Sequence, residues 1–431
     1  MREMKDSGVK TLGLIPSCWT TKKLKYVING ITTGLNPRNY FVLGDGDCFY
    51  VTIRNFRNGQ ILLDDNCDRI TPEIKTLINK RSKLEKGNIL FASISDEGRA
   101  YLIENSPDNW DINESVFSIK PQNNIDSRFL FYILTDYHFY KPLKINSTGS
   151  TFTSIKQDML LNGTLVYPPV DEQKRIAAYL DEQCKKINEI MADIQNQIDT
   201  LEDYKKSVIT EAVTRGLNPN VEMKKTDIGW ISCVPKHWKI DKIKFHLQRL
   251  EYRNPGNMPI LSVYREYGVI PKDSRSDNHN VTSEDTSKYK YVKPGYLVIN
   301  KMKAWQGSMG VSDYEGVVSP AYFIYVFTDN SFSKKYVHYL LRSTYKNEFR
   351  RLSGGIREGQ WDLAPEGFEN TLILIPPVNE QEEIVEYIDK KRAEIDSIIV
   401  DKKAQLETIE NYKKSLIYEY VTGKKEVPEN E

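Results

Sequence analysis

Apolar residues recur at heptad spacing in two stretches of the chain. Leu180, Ile187, Ile194, Leu201 and Val208 stand seven apart, with Cys184, Met191, Ile198 and Ala212 four further on. Ile388, Ile395, Ile409 and Leu416 hold the same positions later, with Ile399, Leu406 and Tyr420 four beyond and Lys402 interrupting the seam. This spacing predicts two long helices that share a coiled-coil seam. Pro168-Pro169 and Pro376-Pro377 come just ahead of them, where a missing N–H costs nothing. Asp171-Glu172 suit the positive helix start, while Gly216, Pro219 and Gly423 predict the stops. About 40 helical residues at ~1.5 Å each give a rod of about 60 Å.

Between the helices the pattern turns to short β-branched and aromatic runs. Phe49–Ile53, Ile89–Ala92, Tyr296–Ile299 and Tyr322–Phe327 read as strands. Turn signals such as Leu43-Gly44-Asp45-Gly46-Asp47 separate them. Phe129–Tyr137 and Tyr336–Thr344 read as short helices.

An internal repeat sets the architecture. Pro168-Pro169-Val170-Asp171-Glu172-Gln173 returns 208 residues later as Pro376-Pro377-Val378-Asn379-Glu380-Gln381, and 22 of the 47 positions from Pro168 to Thr214 are identical without a gap. The repeat closes on Glu202-Asp203-Tyr204-Lys205-Lys206-Ser207 against Glu410-Asn411-Tyr412-Lys413-Lys414-Ser415. Upstream, Ile15-Pro16-Ser17-Cys18-Trp19 is echoed by Val234-Pro235-Lys236-His237-Trp238, the two tryptophans reading as hydrophobic anchors. The expected fold is α+β: two pseudo-twofold-related mixed strand/helix domains joined by two long antiparallel α-helices. The boundaries expected are 1–165 and 226–373 for the domains, 166–225 for the first helix and linker, and 374–431 for the second helix and tail.

Hydrophobic residues make up 39% of the 431 and charged residues 28%, enough for packed cores. The longest uncharged apolar run, Gly316 to Thr328, is 13 residues, short of the ~20 that a membrane span needs. The charged start, Met1-Arg2-Glu3-Met4-Lys5-Asp6, lacks a signal-peptide core. Five cysteines without a CxxC pair argue against a disulfide framework, so a reducing cytoplasm is expected. The net charge of +1 conceals blocks of +2 (20–165) and +5 (239–373) alternating with helices of −2 (166–238) and −5 (374–431). Such alternation suits a polyanion touched at two separated places.

Catalytic motifs are missing. The sequence has no Gly-Lys-Ser/Thr phosphate loop, HExxH, GxGxxG or Asn/Asp-Pro-Pro-Tyr/Phe tetrapeptide. His138, His237, His246, His279 and His338 lack metal-ligand spacing. Glu73-Ile74-Lys75, downstream of Asp64-Asp65, would be the core of a self-contained metal-dependent nuclease; a solvated turn is the plainer reading. A non-DNA adaptor that dimerises through a helical stalk also explains the heptads, though not the duplicated blocks.

Binding candidates come from polar and glycine-rich loops. Ser353 to Trp361 carries Gly354, Gly355, Arg357 and Gln360; glycines let a backbone approach closely, and Arg and Gln read guanine and adenine edges in the major groove. The corresponding hydroxyl-rich stretch of the first half holds Ser150, Thr151 and Thr153 ahead of Lys156. Further candidates are Asn36 and Arg38; Arg54, Asn55 and Arg57; Arg265; and Lys301, Lys303 and Gln306. Such clusters are taken to recur at equivalent places in both blocks, and a weak echo, Gly87-Asn88-Ile89-Leu90 against Gly295-Tyr296-Leu297-Val298, links the blocks.

With the Pro-Pro-Val-Asp/Asn-Glu-Gln starts, the Glu-x-Tyr-Lys-Lys-Ser ends and the Ile/Val-Pro-x-x-Trp openings in place, the sequence resembles a specificity subunit of a type I DNA restriction-modification system. The resemblance runs from about residue 6 to 423. It implies two target recognition domains, each binding one half of a split sequence in double-stranded DNA. It also implies an antiparallel coiled coil that spaces them and docks two methyltransferase subunits. By the same resemblance S-adenosyl-methionine, ATP and Mg belong to the methyltransferase and restriction/translocase partners, and this chain is not an enzyme. Base-contacting residues do not transfer, because recognition domains differ within the family.

Overall fold

The computed structural model describes all residues except 1, 38–39, 58, 95–99, 146–153, 266, 275–284, 356–360 and 429–431, and the side chains of 144 and 145. The proline-led heptads form helices at Val170–Arg215 and Val378–Val421, 46 and 44 residues long. Both end on a left-handed glycine, Gly216 at φ +71° and Gly423 at φ +70°, the usual way to terminate a helix without a Cβ penalty. Contacts divide the chain into two compact units, residues 1–195 with 404–431, and residues 196–403. Each unit therefore holds one globular block, the start of one long helix and the end of the other.

In the first unit a hairpin, Met4–Asp6 with Leu14–Pro16, leads to the strand Thr20–Lys23. That strand pairs antiparallel with Thr164–Tyr167, so the first and last strands of the block lie side by side. Between them runs a four-stranded antiparallel sheet in the order Ala100–Leu102, Ile89–Ala92, Val116–Pro121, Ile28–Thr33. The helix Ser127–Thr135 covers it; Phe129, Leu130 and Ile133 join Ile89, Phe91 and Ile119 in the core. A smaller three-stranded sheet, Trp110–Ile112, Cys48–Val51, Asp68–Ile70, carries the helix Pro72–Ser82.

The second unit repeats the plan. Its hairpin is Met223–Lys225 with Cys233–Pro235, and its closing pair is Lys239–Lys242 with Leu372–Ile375. Its sheet runs Leu247–Leu250, Tyr322–Phe327, Leu297–Asn300, Met309–Val311, against the helix Lys334–Ser343. The distal part differs from that of the first unit: two two-stranded sheets, Leu261–Tyr264 with Gly268–Pro271 and Lys290–Val292 with Gly316–Val318, replace the three-stranded one.

Within each unit the long helices meet in opposite directions. In the first, Leu180, Cys184 and Ile187 share a core with Leu416, Ile417, Tyr420 and Val421, and Lys413 donates to Asn188 at 2.8 Å. In the second, Ala212 and Val213 pack with Ile384, Val385 and Ile388, and Lys205 pairs with Asp396 at 2.7 Å. Start meets end in both, as the antiparallel expectation requires. Ile194, Val208 and Ile395 are buried as well, whereas Leu201 and Ile409 are half-buried. No helix among the described residues is long and apolar enough to cross a membrane.

Candidate nucleic-acid interface

The repeated motifs turn out to build a frame. Trp19 and Trp238 are fully buried, and each indole N–H donates to the glutamate of a helix start: Trp19 to Glu172 at 2.8 Å, Trp238 to Glu380 at 3.0 Å. The other carboxylate oxygen of each glutamate meets a basic side chain, Arg2 on Glu172 and His237 on Glu380. The neighbouring glutamine bridges backbone. Gln173 accepts from Asp126 N and donates to Pro168 O, and Gln381 accepts from Ser333 N and donates to Pro376 O, all at 2.8 Å. Asp126 and Ser333 are the N-cap residues of the short helices. Asp181 then takes Arg128 and Tyr132 at 2.6 and 2.8 Å, and its counterpart Asp389 takes Lys335 and Tyr339. Glu, Gln and Asp of each long helix thus lock one globular block onto it, which fixes the loops at the block's surface.

In the second unit two of the candidate segments converge. The turn Lys301–Gln306 follows the buried strand Leu297–Asn300 and packs against the helix Lys346–Leu352 and the short strand Asp362–Leu363. That strand pairs with Ser353–Gly354, which sets Gly354 opposite Asp362. Lys301 forms an ion pair with Asp362, Lys303 is exposed, and Trp305 and Trp361 meet edge-on at 5.5 Å with Arg350 lying 5.7 Å from each ring. Among the described residues, the side-chain oxygens Gln306 Oε1, Asn300 Oδ1 and Asp362 Oδ1 are buried acceptors without a donor, a condition that favours an outside donor. Arg357 and Gln360 lie outside the described residues.

Arg265 is exposed, and its carbonyl accepts from Arg342. Burial, with Arg342, Lys206 and Arg265 nearby, pushes the Lys346 ammonium below its ordinary range. This basic cluster beside the turn is electrostatically primed for an anion. Arg342, Lys346, Arg350 and Asp362 were not picked out by sequence. They sit on short helices and a two-residue strand, where a basic or acidic residue looks like any solvated one.

The first unit corrects several expectations. Asn55 is buried and its side chain is consumed locally. Its oxygen accepts from Thr52 N at 2.8 Å and Thr52 Oγ1 at 3.1 Å, while its amide donates to Cys67 Sγ and Leu62 O. Its amide serves as a cap. Arg54 and Arg57 are exposed but share a shallow 140 Å³ hollow with Asp64 and Asp68, which offset their charge. Asn36 is half-buried and donates to Glu114 at 2.8 Å.

Thr52–Arg57 and Asn300–Gln306 occupy different places in the two units. Thr52 follows the strand Cys48–Val51 of the distal sheet. The turn at Lys301 follows the third strand of the main sheet, whose counterpart is Ile89–Ala92. The true equivalent therefore begins at Ser93. Its carbonyl accepts from Ile155 N at 2.8 Å, next to exposed Lys156 at the start of Gln157–Asn162. Arg38, Ser150, Thr151 and Thr153 lie outside the described residues.

The nuclease triplet has structural partners. Glu73 sits in the first turn of its helix, where the Thr71 hydroxyl holds its carboxyl below the usual range, and Lys75 donates to Pro107 O at 3.2 Å. Among the described residues no group of three His, Cys, Asp or Glu is placed to hold a metal.

The comparisons with known proteins agree with this frame. The chain matches the type I restriction modification DNA specificity domain twice, over residues 16–200 and 240–408. It is 24% identical over 424 residues to a putative type I restriction enzyme MjaX specificity subunit of Methanocaldococcus jannaschii, covering 96% of this chain and 95% of that one. It is 20% identical to the EcoKI specificity subunit of Escherichia coli K12, covering 95% and 90%. Among solved structures, a chain from work on complex assembly and conformational transition of the type I R-M system aligns with a TM-score of 0.63. That alignment has 14% identity and covers 95% of this chain and 99% of the other. With two copies of the domain on two copies of one frame, the chain belongs to the type I restriction-modification DNA specificity family.

Proposed function

We propose that this chain reads a bipartite sequence in double-stranded DNA, one half-site per unit, and does no chemistry itself. It works in the cytoplasm as the scaffold of a complex with two methyltransferase subunits and, for cleavage, a restriction/translocase subunit. S-adenosyl-methionine, ATP and Mg are held by those partners. The observation that carries this reading is the duplication of a specificity domain on one frame with unlike loops at matching places. In the sequence the hydroxyl-rich Thr148-Gly149-Ser150-Thr151 corresponds to Gly355-Ile356-Arg357-Glu358 of the other half. One frame with two different reading surfaces recognises two different half-sites.

Direct base contacts are assigned to Arg357 and Gln360, phosphate contacts to Lys303 and the Arg265–Lys346 cluster. Removing a good bidentate base contact costs ~1–3 kcal/mol at one base pair, whereas losing a phosphate contact weakens all sequences alike. The test is methylation mapping in a host that carries or lacks this chain. Two short unlike half-sites with a fixed spacer are expected, and exchange of residues 20–167 alters one half-site alone. Methylated sites that do not change when this chain is removed overturn the reading.

A further inference from the structure

Beside the turn Lys301–Gln306, side chains from three separate segments of the second unit come together. Trp305 belongs to the turn, Arg350 to the helix Lys346–Leu352, and Trp361 to the approach of the strand Asp362–Leu363. The indoles meet edge-on at 5.5 Å, and the Arg350 guanidinium lies 5.7 Å from the centre of each, inside the ~6 Å reach of a cation–π contact. Every member stands next to a buried anchor. Ala304 and Phe349, just before Trp305 and Arg350, are fully buried, and so is Leu363, two beyond Trp361. Trp305 is fixed further by its own N–H, which donates to Met302 O at 3.2 Å.

Arg350 is exposed, while both tryptophans are half-buried. Its neighbour Arg351 shows a more ordinary surface arrangement, exposed but tied to Glu348 by two hydrogen bonds at 2.8 and 2.5 Å. A cation–π contact limits where a guanidinium can go yet uses none of its N–H donors. The side chain is therefore aimed before a ligand arrives, and a group already ordered loses less freedom on binding. Its donors form a rigid planar fork that matches two acceptors side by side. In the major groove those acceptors are N7 and O6 of guanine. A phosphate also accepts the fork, but a base edge demands the closer aim, because phosphate contacts position a protein and base contacts specify the sequence.

We propose that Arg350 reads a guanine in the half-site of the second unit, and that Trp305 and Trp361 are positioning residues that hold its guanidinium for that contact. This rests on the DNA-reading function proposed above and adds a helix-borne contact to those assigned to Arg357 and Gln360.

The experiment is methylation of an oligonucleotide library by the full chain assembled with its methyltransferase subunits. The half-site of the second unit is the one that stays when residues 20–167 are exchanged. Arg350→Met keeps the stem and removes the donors. At one G·C pair of that half-site it lowers the preference for guanine about ten-fold, and the other pairs and the melting temperature are unchanged. Trp305→Ala lowers the preference at the same pair, and Trp305→Phe restores most of it. In the Arg350→Met background Trp305→Ala has no further effect there, because the indole acts through the guanidinium. Arg351→Lys leaves the base preferences as they were. A half-site of the second unit without a G·C pair overturns the proposal before any variant is made. So does a lowered melting temperature with intact base preferences, the mark of a packing role. Equal weakening of every sequence, restored by Arg350→Lys, identifies a phosphate contact; the proposal then falls and the DNA-reading function stands. If the unaltered chain directs no methylation, both fall.

Discussion

A buried indole N–H needs an acceptor, and here each comes from the glutamate that begins a long helix. Glu380→Ala would leave Trp238 Nε1 buried and unpaired, at a cost of about 1–3 kcal/mol. A lowered melting temperature is expected, largely restored in Glu380→Gln, whose amide oxygen still accepts. His338 provides a pH handle. Burial, with Arg342, Arg392 and Lys335 around it, lowers its pKa from 6.5 to about 3. The unfolded chain takes up this proton near pH 6.5 and the folded chain does not, so the stabilisation is complete above that pH and is lost as pH falls toward 3. Between pH 7.5 and 5 this amounts to about 2 kcal/mol, and His338→Gln should flatten urea-derived stability across that window. Individual roles were the least legible part of the sequence. Asn55 looked like a base reader because a helix-capping residue and an adenine-reading residue use the same amide. Only burial separates them.

Elements were legible wherever the period was long or the run strongly β-branched. The heptads gave both long helices, and Ile89–Ala92 and Tyr322–Phe327 are strands over the residues expected. Sheet order was not legible, because pairing is decided by which side chains meet across strands rather than by local pattern. Helix ends can be tested individually. At Gly423 an added Cβ would sit 2.6 Å from the Pro16 ring as well as in left-handed backbone. For comparison Gly59, in the hairpin turn between Phe56–Arg57 and Gln60–Ile61 and at φ +74°, has nothing within 4 Å. Gly59→Ala should therefore cost only the left-handed penalty of about 1–2 kcal/mol. Gly423→Ala should cost clearly more, seen as a larger fall in the urea midpoint at unchanged slope.

On the scale of the whole molecule, the two cuts between the compact units fall at 195/196 and 403/404, the same place in the repeat. If the long helices set the distance between half-sites, four residues inserted after Gln195 and four after Lys403 add about one turn to each, ~6 Å. The preferred spacer should lengthen by one or two base pairs at ~3.4 Å per step, with the half-site bases unchanged. Methylation of a spacer library by the assembled complex reads this directly, and an unchanged spacer in an active complex would defeat the ruler. A different consequence follows from the closing strand pairs, Thr20–Lys23 with Thr164–Tyr167 and Lys239–Lys242 with Leu372–Ile375. Paired strands lie ~4.8 Å apart, so the chain leaves each block beside the point where it came in. To the frame, a block is a loop whose ends stay together whatever lies between them. A crossover between two genes at those strands would deliver a foreign block and leave the long helices and tryptophan anchors in place. The incoming short helix would bring its own partners for the glutamine and aspartate of the frame. New specificities can then arise by exchange of whole cassettes, half a target at a time, faster than base-contacting residues could be altered one by one.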